Sequence, residues 1–155
     1  MFQRWIDIDP AKSALVIGPR RAGKTTYLKQ RFPGFSYVTL DDLDILEWAH
    51  RDTKGLVAHV GSRAIIDEIQ RFPTLTIAAK NAIDNHGALL YMTGSSSAGL
   101  LDAAADSMAG RVNIYSLPPA CWGEEDGPAT HAIFEDTPDP PALREAMRRL
   151  PDAMR

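Results

Sequence analysis

The 155-residue chain has one cysteine, Cys121. A single thiol excludes an internal disulfide and a cysteine metal cluster. It fits a reducing compartment, and a cytoplasmic location is expected. Long hydrophobic runs are missing too. ALVIG and GALLYM are the longest, far short of the ~20 residues a spanning helix needs, so no membrane partner is expected. Charges break up the amino-terminal MFQRWIDID, which does not read as a signal peptide. Positive charge is not in excess: 17 Lys and Arg stand against 20 Asp and Glu, a formal net charge of −3. With no helix-turn-helix and no basic stripe, there is no direct nucleic-acid signal. His50, His59, His86 and His131 show no metal-ligand spacing. No internal repeat is present.

What the chain does have is an alternation of short apolar runs with helical patterns. SALVI (13–17), FSYVTL (35–40), RAIID (63–67), ALLYMT (88–93) and VNIYSL (112–117) read as strands. Between them, helices are predicted over 23–31, from Asp41-Asp42 to about His50, from Pro73 to Gly87, and over 97–109. Leu75, Ala78, Ala79, Ala82 and Ile83 form the apolar face of the third of these. Five strands separated by helices predict an α/β domain with a mainly parallel sheet. It belongs to a unit of residues 1–119. Residues 120–155 read as a Pro- and acid-rich connector with a short helix carrying Leu143, Ala146, Met147 and Leu150.

Four segments bear chemistry. GPRRAGKTT places Gly18, four residues, then Gly23-Lys24-Thr25, after a strand and before a helix. Such a loop curls successive N–H groups around phosphates and aims a helix dipole at them. Gly18 lets the chain leave the strand sharply, and Gly23 lets the backbone approach the anion. Lys24 brings charge to the β and γ oxygens, and Thr25 a hydroxyl to Mg²⁺. The expected nucleotide-binding set is Gly18, Pro19, Arg20, Arg21, Ala22, Gly23, Lys24, Thr25 and Thr26. AIIDEIQ ends a strand in two acids with different tasks. Asp67 would hold Mg²⁺, and Glu68 would polarise the attacking water. In LLYMTGSSS, Thr93 and Ser95 are candidates to reach between γ-phosphate and water, or they merely turn the chain and cap the next helix. In MAGRVNIY, Arg111 either neutralises transition-state charge, in its own site or a neighbour's, or is a surface Arg at a helix C-terminus.

Taken together, GPRRAGKTT, YVTLDD, AIIDEIQRFP, LLYMTGSSS and MAGRVNIYSLPP resemble the ATPase core of a large prokaryotic family of AAA+-type P-loop ATPases. The likeness covers about residues 10–120 in order and spacing. Met108 stands where relatives carry leucine, a volume-conserving change. The resemblance implies a three-layer RecA-like sheet of order 5-1-4-3-2, with one strand between the loop strand and the Asp-Glu strand. It implies ATP and Mg²⁺. It makes Asp67 and Glu68 the Walker B pair, Thr93 or Ser95 the sensor, and Arg111 the family's Arg before the last strand. Asp41 matches a family acid of no assigned role. A full helical lid is not expected in the residues after the core.

The expected function is ATP binding with Mg²⁺-dependent hydrolysis, coupled to a change in a partner protein or homo-oligomer. The alternative is an ATP-binding switch or interaction module with little or no turnover. Phosphotransfer to a small molecule is disfavoured, because the Asp-Glu pair lies on a non-adjacent strand and no Arg-rich lid is evident.

Overall fold

The computed structural model describes Arg4, residues 6–95 and residues 108–120. The chain divides into two compact units, Ile8–Pro118 and a second made of Met1–Asp7 with Pro119–Arg155. Most of the second unit lies outside the described residues. So do residues 121–155 of the expected connector and its short helix, and residues 97–107 of the expected alanine-rich helix. Met108 is described, and it is buried.

Within Ile8–Pro118 the elements run β1 (Ala14–Ile17), α1 (Lys24–Arg31), β2 (Ser36–Thr39), α2 (Leu43–Arg51), α3 (Thr53–Val60), β3 (Arg63–Asp67), a one-turn 3-10 helix (Ile69–Arg71), α4 (Leu75–His86), β4 (Leu89–Gly94) and β5 (Asn113–Ser116). The sheet order is β2-β3-β4-β1-β5. Read from the other edge this is 5-1-4-3-2, the order the resemblance implies. Every pairing is parallel: Val16 lies opposite Thr93, Thr39 opposite Asp67 and Ile66 opposite Met92. A strand thus separates β1 from β3, and all strands end on one edge.

Strand alternation divides the buried side chains between two faces. Leu15, Ala64, Ile66, Leu90 and Met92 pack with Leu56, Val57 and Val60 of α3 and Leu75, Ala79 and Ala82 of α4. The other face carries Ile65, Asp67, Tyr91 and Thr93, and α1 lies against it. Phe32, which caps α1, stacks on Tyr91 with ring centroids 4.0 Å apart, and Phe35 joins them. Two layers of helices around a parallel sheet satisfy the rule that such sheets are covered on both faces.

Local chemistry sets the element ends. Asp42 caps α2 by accepting from the N–H groups of Asp44 and Ile45. Gly87 ends α4 in the left-handed conformation, φ 60°. Helix α3 was not anticipated. Asp52 caps it through Gly55 N at 2.9 Å, and Leu56, Val57 and Val60 bury its apolar side. Thr76 is buried where the expected α4 stripe omitted it. Its hydroxyl donates to Pro73 O at 2.7 Å, which offsets the cost of burying a polar group.

Tyr91 is fully buried, and its phenol is pushed up to about 12, first by burial and then by the charge of Asp9. The unfolded tyrosine ionises near 10. Between pH 10 and 12 the unfolded chain therefore loses a proton that the folded chain keeps. Stability from this group is complete below pH 10 and is lost as pH rises through 12, on the order of 2 kcal/mol. Urea melts at pH 9, 10 and 11 should show the decline. Tyr91→Phe should make the decline shallower, and an unchanged slope in that variant would refute the assignment.

Candidate active site

Because the sheet is parallel, the residues after β1, β3 and β4 meet on one edge. The loop after β1 begins with Gly18, where an added Cβ would lie 2.1 Å from the Leu117 carbonyl oxygen. That oxygen belongs to backbone and cannot swing away. Gly18→Ala should therefore cost about 1–3 kcal/mol, read as a lowered urea midpoint. An unchanged midpoint would show that the loop can shift without loss.

Arg21 (φ 64°) and Gly23 (φ 86°) take left-handed conformations within the loop. Alternating backbone hand of this kind turns consecutive N–H groups toward one point, the geometry of an anion nest. Gly23 is the residue before α1, so the helix dipole adds to the same point.

Lys24, 5% exposed, donates from Nζ to the carbonyls of Gly18 and Pro19, both at 2.9 Å. Burial holds its pKa below the usual lysine value. The charges of Glu68 and Asp67 push it back up, and that of Arg20 pushes it down. Ala22 is buried, while Pro19, Arg20, Arg21 and Thr26 are exposed.

Asp67 is the hub. The residue is 6% exposed, and its carboxylate accepts from three hydroxyls. Thr25 Oγ1 on α1 lies 2.8 and 2.9 Å from its two oxygens. Tyr37 on β2 donates to Oδ2 at 2.9 Å, and Thr93 on β4 donates to Oδ1. The Tyr37 phenol is pushed up to about 12, by burial first and then by its bond to Asp67, so it stays a neutral donor. Lys29 Nζ sits 3.2 Å from the Tyr37 ring centroid.

Glu68 follows with φ 59°, a left-handed position. Its N–H donates to Thr93 Oγ1 at 3.2 Å, and its carboxylate accepts from Gln70 Nε2. Ser95 enters through its backbone, its N–H donating to Gln70 Oε1 at 3.1 Å. Asp41 pairs with Arg71, tying the end of β2 to the 3-10 turn after Glu68.

Residues 11–125 match the family model of the AAA domain. The chain belongs to that family. No curated protein matches it. Membership supports nucleotide binding and the capacity for ATPase chemistry in this AAA domain. Among the described residues no helix is long and apolar enough to cross a membrane.

The structure of this AAA domain brings Gly18, Gly23, Lys24, Thr25, Asp67, Glu68, Thr93 and Ser95 to one edge. It does not bring Arg111 there. Arg111 precedes β5, so it lies at the opposite edge of the sheet, a strand length of about 13 Å away. Its Nε pairs with Asp84 of α4 at 2.7 and 2.8 Å. Its described contacts are thus those of an ion pair away from the phosphate loop. The described contact of Ser95 is made by its backbone N–H.

Two residues of the cluster, Tyr37 and Gln70, were not foreseen. Tyr37 lies two positions before Thr39, the register partner of Asp67. On a parallel pair that puts it on the same face as Asp67, and this spacing was the available signal.

The donors fit ATP with Mg²⁺. Thr25 and Asp67 offer oxygen donors only, and few of them. That suits a small hard cation that keeps several waters and shares phosphate oxygens. The loop supplies N–H groups and one ammonium for the phosphates.

Proposed function

We propose that this domain binds ATP with Mg²⁺ and hydrolyses it. The single observation that carries the proposal is the convergence of Lys24 and Thr25, at the start of α1, with Asp67 and Glu68, at the end of β3, on one edge of the sheet. In this reading the loop N–H groups and Lys24 bind the β- and γ-phosphates. Thr25 and Asp67 hold the cation, directly and through its waters. The bound cation would supply charge neutralisation at the phosphate oxygens.

Glu68 orients the attacking water and accepts its proton as the water oxygen bonds to the γ-phosphorus and the bond to ADP breaks. Thr93 ties the two acids together by donating to Asp67 while accepting from Glu68 N. Arg111, facing away from its own site, would serve a neighbouring copy in a homo-oligomer. The change of state would be passed to that neighbour or to a protein partner.

Phosphate release decides the question. Purified protein should release phosphate from ATP with Mg²⁺, and chelation by EDTA should stop it. Specific activity that rises with protein concentration would support the role of Arg111 between copies. If no release occurs at any concentration while ATP still raises the melting temperature, hydrolysis fails and a binding switch remains.

A further inference from the structure

We propose that Gln70 is the positioning residue of Glu68, a clamp that fixes the carboxylate to the end of β4. The proposal rests on the reading of Glu68 as the group that handles the attacking water.

Glu68 needs holding. β3 ends at Asp67, so no strand ladder restrains the next residue. Its backbone is left-handed at φ 59°, outside the alternation that aims Asp67. Its side chain has three rotatable bonds and is only half-buried. Two contacts supply the restraint, and both lead to β4 or its end. The Glu68 N–H donates to Thr93 Oγ1. The Glu68 carboxylate accepts from Gln70 Nε2, and Gln70 Oε1 in turn accepts from Ser95 N at 3.1 Å.

The amide orientation of Gln70 follows from its partners. The flipped form would set its carbonyl against a carboxylate and its NH₂ against an N–H. Only one arrangement satisfies both ends. The bond engages Oε2 of Glu68 and leaves Oε1 to accept from water.

The side chain of Gln70 is not what forms the turn it sits on. That turn is closed by main-chain bonds from Arg71 N to Glu68 O and from Phe72 N to Ile69 O, both 3.0 Å. Any polar residue would serve there if the turn were the only requirement. What glutamine adds is an acceptor and a donor at the right reach to link Ser95 to Glu68. A displacement of the β4 end at Ser95 would then move the carboxylate of Glu68.

The test uses the full chain and two readouts. The first needs no turnover. Gln70→Glu keeps an acceptor for Ser95 N but sets one carboxylate against another, and the melting temperature should fall by about 3 °C. Adding Glu68→Gln restores a donor–acceptor pair with reversed polarity, and the double variant should regain the loss. Additive effects would overturn the contact.

The second readout is kinetic. Gln70→Ala should lower kcat about ten- to a hundredfold, leaving KM and the ATP-induced melting shift unchanged. A merely structural role would move all three or none. Wild-type kcat in Gln70→Ala would overturn the proposal. Absence of release from the wild-type protein would overturn the ATPase reading alone, and the melting cycle would still decide whether Gln70 holds Glu68.

Discussion

Replacement of Lys24 by alanine should erase the stabilisation that ATP with Mg²⁺ gives the wild-type chain. A ligand at a hundred times its Kd stabilises by about 2.7 kcal/mol, and the variant should show a shift near zero. The reason is local. Lys24 is the buried cation of the loop, and its Nζ already sits among the carbonyls that shape it.

The unliganded protein should suffer far less. Burial lowers the lysine's pKa, which means that its charge is held at a cost. Alanine removes that cost together with the two hydrogen bonds. Each of these opposing terms is a few kcal/mol at most, and they offset. Thermal melts with and without ATP separate the two effects. A wild-type shift in Lys24→Ala would sink the phosphate assignment. A collapse of the unliganded protein would show that the lysine is mainly structural.

Glu68→Gln should do the reverse. Nucleotide binding should persist, because Lys24, Thr25 and Asp67 are untouched. Phosphate release should fall by about 10²–10⁴-fold, the usual worth of a general base. The substitution keeps the size of the side chain and its backbone bond to Thr93. It removes the negative charge and leaves an amide facing the amide of Gln70. Release measured at saturating ATP is the relevant assay, since it isolates kcat from binding. Retained release would remove Glu68 from the reaction. Loss of the ATP-induced melting shift would mean that Glu68 supports the fold of the site and not its chemistry.

Much of the sheet was legible because its three central strands, β1, β3 and β4, are buried on both faces. Such strands appear as short apolar runs, and β3 was read to its exact ends, Arg63 and Asp67. The phosphate loop was legible because its glycines are fixed by backbone demands, close approach to Leu117 at Gly18 and positive φ at Gly23.

Helix α3 was not legible for the opposite reason. It has eight residues and a glycine at its third position, with Thr53 and Lys54 before it. The local pattern favours a turn, and packing of Leu56, Val57 and Val60 overrides it. Tyr37 and Gln70 were missed because their contacts join residues on different elements. Periodicity describes one element at a time. Arg111 is a different lesson. In a parallel sheet, a residue before a strand and a residue after a strand occupy opposite edges. The expected topology already contained that answer, and motif order alone concealed it.

The three hydroxyls around Asp67 have an electrical consequence. Thr25, Tyr37 and Thr93 are all neutral donors. Together they act as a solid hydration shell, solvating the carboxylate while leaving its full charge in place. An arginine in the position of Tyr37 would have satisfied the same lone pair and cancelled that charge. The field of Asp67 thus remains open to a divalent ion, and an ion arriving there meets a carboxylate already stripped of most of its water.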